Sequence, residues 1–227
     1  MEKFSDQKIV DSWKKNIQPW VTAIREGEIE SRLLVTNKAV IDAVLTRAPK
    51  SVLDVGCGEG WLVRELERKG IQSMGVDVVP EFIAYAQKQG RGKFKCLSFE
   101  TLSKEALKEQ FDVVVCNFSI LGNESVTSLF QKMPTLLNKG GSFIVQTIHP
   151  VIACGEEKYE DGWRSGSWKG FSDQFCDPAP WYFRTVETWK GLFIENGFEF
   201  LEILEPINPK TGKPASMVFI GTVTRSD

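Results

Sequence analysis

The strongest constraint on how this chain folds is an alternation of short apolar runs and amphipathic stretches through its middle. Runs with strand character fall at 51–55, 73–78, 94–97, 111–116 and 142–147. Helical patterns separate them. Residues 61–69 place Leu62, Val63 and Leu66 on one face and stop at Gly70, as a C-terminal glycine cap would. Pro80 opens a second helix carrying Ile83, Ala84 and Gln87, and 125–137 forms a third, with Pro134 placed to kink it before an Asn-Lys-Gly-Gly turn. Strand, helix, strand with short connections is the pattern of a mostly parallel sheet covered on both faces. The expected class is α/β, doubly wound, and 227 residues at 42% hydrophobic content suffice for one domain with one sizeable core.

Two segments break the alternation. Residues 1–46 look helical, with Trp13, Ile17 and Trp20 spaced as one buried face, then Val40, Ile41, Val44 and Leu45 after a cap at Thr36 or Asn37. Residues 150–184 are rich in Gly, Pro and aromatics without a sustained period, which predicts a long irregular excursion of the kind that often forms lids. A helix resumes at 186–196. "FEFLEILEP" and "SMVFIGTVT" then read as two final strands, joined through a Pro-Lys-Thr-Gly-Lys-Pro turn into a hairpin at one side of the sheet.

Composition removes several classes of function. A formal net charge of −2 gives no broad basic surface, so neither nucleic acid nor an anionic membrane is favoured as a partner. Five cysteines, an odd number with no C-x-x-C pair, and a single histidine argue against a disulfide scaffold and a zinc cage. The start "MEKFSDQKIVDSW" lacks the layout of a signal peptide, and no apolar run is long enough to span a bilayer, so the expected location is the cytoplasm.

"SVLDVGCGEGW" at 51–61 carries the most specific chemistry. Gly56, Gly58 and Gly60, between a strand and a helix N-terminus, allow tight turning and close approach of a ligand to main chain, where exposed amides and the helix dipole would meet it. The dinucleotide fingerprint G-x-G-x-x-G fits poorly, because the third glycine comes one residue early and Trp61 takes the sixth place. Asp54, two residues before the first glycine, would repel a pyrophosphate and attract a cation or an amino group. Asp77, closing the next strand, is placed to accept hydrogen bonds from a ribose. The ligand implied has a ribose, a positive centre and no bulky phosphate.

"VLDVGCGEG" followed by "GVDVVPEFIAYA" resembles the class I S-adenosylmethionine-dependent methyltransferase family, of the small-molecule type, over about 50–148. The resemblance implies a Rossmann-like seven-stranded sheet of order 3-2-1-4-5-7-6 with strand 7 antiparallel. It divides the single domain into an N-terminal helical cap (1–46), a cofactor-binding core (47–149), a lid or substrate loop (150–184) and a C-terminal helix with a strand pair (185–227). It also implies S-adenosyl-L-methionine as cofactor. Asp54, Gly56, Cys57, Gly58 and Gly60 would line its methionine and ribose side, Asp77 would hold the ribose hydroxyls, Val78, Ser98 and Phe99 would lie by the adenine, and Asn117 would approach the methionine part. Asn117, Phe118 and Ser119 stand where the magnesium-dependent branch carries acids, so no metal is expected. Nor is there an Asn-Pro-Pro-aromatic motif at that point, which disfavours methylation of a DNA adenine or a glutamine amide.

The sulfonium methyl is already activated, so the enzyme chiefly aligns a nucleophile, excludes water and, for some acceptors, removes a proton. His149, at the end of the fifth strand, is the candidate base, or else caps and packs beneath the following loop. Tyr182 joins it as a candidate catalytic group, and Trp181 and Arg184 as candidate substrate-binding groups, against the plainer reading of lid packing and loop bracing. The acceptor is expected to be a small molecule. The alternatives are a methyltransferase of a protein or RNA partner, which a shallow open site would favour, and a nicotinamide-dependent oxidoreductase.

Overall fold

A computed structural model of the chain describes residues 4–223. The expectations for residues 1–3, for Thr224 of the last strand and for the tail to 227 lie outside the described residues.

The chain opens with two helices, α1 (Asp6–Lys15) and α2 (Ile17–Glu26), broken at Asn16. Ser5 caps α1 by accepting the Lys8 amide, and α2 ends on Gly27 at φ +69°. A π-helical turn, Arg32–Thr36, then runs directly into α3 (Asn37–Leu45). Thr36 therefore has helical backbone and makes no capping bond, so the expected cap at Thr36 or Asn37 is replaced by a continuous helical turn.

Alternation follows: β1 (Ser51–Val55), α4 (Trp61–Arg68), β2 (Gln72–Asp77), α5 (Pro80–Gln89), β3 (Lys93–Cys96), α6 (Lys104–Leu107), β4 (Phe111–Asn117), α7 (Glu124–Leu136) and β5 (Leu137–Thr147). After α8 (Pro150–Cys154), β6 (Gly162–Arg164) and β7 (Trp181–Phe183) come α9 (Val186–Glu195), β8 (Phe198–Leu204) and β9 (Met217–Val223). The main sheet has the order β3-β2-β1-β4-β5-β9-β8, with β9 antiparallel between β5 and β8. Counted by its own strands, that is 3-2-1-4-5-7-6. The Asn-Lys-Gly-Gly stretch is not a free turn: Leu137 already pairs with Phe111, and the ladder slips before Val113 meets Ser142. Pro134 sits inside α7 without ending it.

Side chains along the central strands alternate between two covered faces. Val52, Val113, Val115 and Ile144 pack under Val40 and Val44 of α3 and Leu62 and Leu66 of α4. Leu53, Val114, Cys116 and Phe143 pack under α7 and α9, where Phe130 meets Phe143 edge-on at 5.0 Å and Phe193 at 5.1 Å. Each such buried ring contributes about 1.5–3 kcal/mol relative to an exposed one. Both helical layers leave the carboxyl ends of the strands free.

The N-terminal helices and the 150–184 segment meet over that free end. Asn16, wholly buried, donates to the Cys176 carbonyl at 2.7 Å and accepts from the Cys176 amide at 2.9 Å. Ser12 Oγ donates to the Asp177 carbonyl at 2.5 Å, and Lys15 pairs with the Asp177 carboxylate. The excursion is less irregular than its sequence suggests, since it contains α8 and the antiparallel pair β6 and β7.

Candidate functional site

Under this roof lies a cavity of about 780 Å³. Gly56, Cys57, Gly58, Asp77, Val78, Ser98, Phe99 and Asn117 line it at the carboxyl edge of the sheet. Trp13, Trp20 and Arg32 close it from the N-terminal side, and Trp168, Phe171 and Trp181 from the 150–184 segment. Eight of the ten residues the sequence assigned to the cofactor therefore meet at one wall, and Trp181 joins them from across the cavity.

The glycine loop is built differently from its sequence reading. Amides of Gly56 and Cys57 donate to the Val76 carbonyl at 2.8 and 3.0 Å, that of Gly58 to Asp77 Oδ2 at 2.8 Å, and that of Gly60 to the Cys57 carbonyl at 3.0 Å. These four donors are not exposed to a ligand, which corrects the expected amide cradle. The glycines are needed for close approach instead. A Cβ on Gly56, at φ +75°, would lie 2.3 Å from Ser119 Cβ, whereas one on Gly58, at φ +54°, would meet nothing nearer than Trp20 Nε1 at 3.6 Å. Gly58 thus leaves open space in the wall.

Gly60 and Asp54 stand outside that wall. A Cβ on Gly60, at φ +83°, would collide with the Phe94 ring at 2.7 Å, so this glycine seats α4 against β3 and α5 rather than touching a ligand. Asp54 is 2% exposed, beneath the loop, with Oδ1 unpartnered. Burial, reinforced by the nearby Asp77 charge and opposed by Arg32, pushes its carboxyl up to about 8, so it is mostly protonated at neutral pH. Asp77 accepts from the Gly58 amide and, at 2.9 Å, from that of Val79. Burial raises its carboxyl above the usual range, and these amides hold the rise back. Burial also keeps the Cys57 thiol well above its ordinary value, which rules it out as a nucleophile.

Arg32 was not foreseen. Its guanidinium sits 4.7 Å from the Trp61 ring and 5.8 Å from the Trp20 ring, Nη2 is buried without a partner, and desolvation lowers it to about 10. Glu59 Oε1, in the same group of charges, is likewise buried and unpartnered. No motif marks Arg32, because the π-helical turn that aims it has no sequence period; Trp61 registered only as a misfit to the dinucleotide fingerprint.

Three further expectations are corrected. His149 is absent from the cavity wall: Nε2 bonds Glu205 at 2.7 Å and Nδ1 accepts from the Ile152 amide, so it caps α8. Arg184 is 3% exposed and donates to the Gly122 and Asn123 carbonyls, bracing the turn before α7. Tyr182 stacks over Arg184 at 4.8 Å and borders a separate crevice of about 10 Å³, too small for an acceptor. Among the described residues no cluster of His, Cys, Asp and Glu gathers to hold a metal ion, and no helix is long and apolar enough to cross a membrane.

Comparison with known proteins sets this geometry beside methyltransferases. A family model described as a methyltransferase domain matches residues 52–141. Ubiquinone biosynthesis O-methyltransferases are similar to the chain: that of Xanthomonas oryzae pv. oryzae is 29% identical over 118 residues, covering 50% of this chain and 49% of its own, and that of Pseudomonas fluorescens 31% over 113 residues, covering 48% and 49%. The chain thus spans about half the length of the curated relatives it matches. Among solved structures, an S-adenosylmethionine-dependent methyltransferase from Mesorhizobium loti shares the fold at TM-score 0.62 and 20% identity, covering 80% of this chain and 96% of its own. The 1,6-didemethyltoxoflavin N1-methyltransferase of Burkholderia thailandensis, at TM-score 0.63 and 18% identity, covers 99% of this chain and 92% of its own. The matched core and the sheet order agree with the resemblance to class I S-adenosylmethionine-dependent methyltransferases: residues 52–141 match a methyltransferase domain, and the fold is the one those solved methyltransferases share.

Proposed function

We propose that this chain transfers the methyl group of S-adenosylmethionine to a small-molecule acceptor, releasing S-adenosylhomocysteine. The observation that carries the reading is the single cavity in which an open glycine and a ribose-height carboxylate share a lining with Arg32, whose Nη2 is buried without a partner. Asp54, mostly protonated, and Glu59, paired with Arg64, lie outside that lining. The carboxylate of an amino-acid moiety would answer the Arg32 guanidinium. With the amides of Gly56, Cys57, Gly58 and Gly60 already used internally, the loop also has little to offer a phosphate, which weighs against a nicotinamide enzyme.

When bound, the donor supplies a sulfonium methyl poised for displacement. The residues of the chain do the rest. Asp77, already oriented by two amides, accepts from the ribose hydroxyls through its remaining lone pairs. Val78, Ser98 and Phe99 border the base, and Arg32, held between Trp20 and Trp61, meets the carboxylate. Asn117, its Oδ1 fixed by Gln146 Nε2 at 2.7 Å, steadies the methionine end. The 150–184 segment acts as the lid, joined to α1 and α2 through Asn16, and keeps water from the reacting atoms. A roofed cavity of this size suits a small acceptor better than a protein or RNA surface.

Calorimetric titration tests the reading. S-adenosylhomocysteine should bind, and Asp77→Ala should weaken it by about 1–3 kcal/mol, because the hydroxyls lose a charged acceptor. Binding of NAD with none of either adenosyl compound would overturn it.

A further inference from the structure

One side chain behind the cavity wall decides what that wall offers. Gln146, near the end of β5, is wholly buried. Its Nε2 donates to the Thr36 carbonyl at 3.0 Å and to Asn117 Oδ1 at 2.7 Å, and its Oε1 accepts from Ser216 Oγ at 3.3 Å. Both hydrogens of that amide are spent. The orientation follows from one partner, because a main-chain carbonyl can only accept. Thr36 therefore fixes which end of Gln146 carries the nitrogen, and that nitrogen fixes in turn which end of Asn117 faces it. A reversed Asn117 amide would set two N–H groups against each other.

Asn117 lines the cavity, whereas Gln146 does not. With Oδ1 turned to Gln146, the end left over is Nδ2, which has no partner among the described residues. The carboxyl end of β4 thus presents an N–H donor to the cavity, not an oxygen.

A second unanswered donor belongs to the same neighbourhood. Arg32 Nη2 is buried without a partner, and the π-helical turn that carries it, Arg32–Thr36, ends on the carbonyl that Gln146 holds. β4 also runs beside β1: Asp54 pairs with Val115, two residues before Asn117, and the Asp54 carboxyl feels the Arg32 charge. Two N–H groups without an acceptor suit an anion with several lone pairs. An ammonium would face two donors and a cation.

Resting on the donor assignment above, we infer that Gln146 is a positioning residue for the amino-acid end of S-adenosylmethionine, turning the Asn117 amide so that Nδ2 joins Arg32 in donating to the carboxylate. Gln146 itself touches no ligand. Its contribution is the single orientation it imposes on the side chain that does.

S-adenosylhomocysteine and 5′-methylthioadenosine share the nucleoside and the thioether, but the second lacks the amino acid. Calorimetry with both isolates the carboxylate. Asn117→Asp keeps the outline and the bond from Gln146 but turns an oxygen to the cavity; it should weaken S-adenosylhomocysteine about tenfold or more and leave 5′-methylthioadenosine within about threefold. Gln146→Met keeps the volume and removes the amide, so it should give the same split, and adding it to Asn117→Asp should cost less than about threefold more, since both act on one contact. Urea denaturation establishes that each variant is folded; should Gln146→Met not fold, Asn117→Asp at the cavity surface decides alone. Unchanged or tighter S-adenosylhomocysteine binding by Asn117→Asp, or equal losses for the two ligands, overturns the inference. The parent protein reads the donor site separately: if it binds S-adenosylhomocysteine while the variants show no split, only the positioning role falls, and if it binds neither adenosyl compound both readings fall.

Discussion

Replacing Gly56 and Gly58 in turn by alanine separates the two uses of the loop. At Gly56 the new methyl enters a left-handed backbone, at about 1 kcal/mol, and falls 2.3 Å from Ser119 Cβ and 2.9 Å from Ser119 Oγ. Ser119 cannot easily yield, since its hydroxyl donates to the Val55 carbonyl at 2.5 Å and Phe118 before it already has φ +54°. Overpacking of this kind adds about 1–3 kcal/mol, for a total near 3 kcal/mol and a fall of roughly 6–12 °C in melting midpoint. At Gly58 the methyl meets only Trp20 Nε1, at an unstrained 3.6 Å, so the cost is about 1 kcal/mol and roughly 2–4 °C. Ligand affinity reverses the order. Gly58→Ala fills the wall where the proposed function puts the donor and should weaken S-adenosylhomocysteine about tenfold or more, read by calorimetry on folded protein. Adding Ser119→Gly to Gly56→Ala removes the colliding carbon and should return at least about 1 kcal/mol beyond additivity, measured by urea denaturation. Additive behaviour of that pair, or a Gly56→Ala melting shift no larger than that of Gly58→Ala, would refute the reasoning.

Three other outcomes are expected. Asp54 has a folded value near 8, above its ordinary 3.8, so the native state holds a proton that the unfolded chain releases; its stabilisation is complete below about pH 4 and is lost as pH rises toward 8. Asp54→Asn should therefore flatten a decline on the order of 2–5 kcal/mol in urea-derived stability between pH 5 and pH 8.5, and an unchanged slope would contradict the buried neutral carboxyl. Asn16→Ala breaks both bonds to Cys176 and should speed amide hydrogen exchange selectively at 170–178, at a cost of about 2 kcal/mol; exchange as slow as in the parent would show that the roof is held by something else. Arg184→Met should lose about 2–3 kcal/mol, because the Gly122 and Asn123 carbonyls lose a charged donor, and a loss under about 0.5 kcal/mol would return Arg184 to the surface.

How far the sequence could be read depended on how local each determinant is. The five parallel strands were legible to within a residue or two, apart from the start of β5, because apolar runs bounded by Gly, Pro and short helices encode them in place. Asp77 and Gly58 were legible because their strand-end and turn positions follow from the same pattern. His149 was not, since its fate depends on Glu205, far along the chain, and on where α8 begins. Gly60 looked like a ligand contact until Phe94 was seen against it. Strands β6 and β7, three residues each, are too short to carry a period, and Arg32 owes its position to a π-helical turn that no periodicity announces.

The stretch matched by the methyltransferase family model, 52–141, contains Gly56 to Gly58, Asp77, Ser98 and Asn117, but none of Trp13, Trp20, Trp168, Phe171 or Trp181. Under the proposed function, one continuous block would encode the socket for the shared reagent, while two remote pieces of chain, fastened by Asn16, would encode the choice of client. Drift in those pieces would then change which compound is served without disturbing the currency in which it is served.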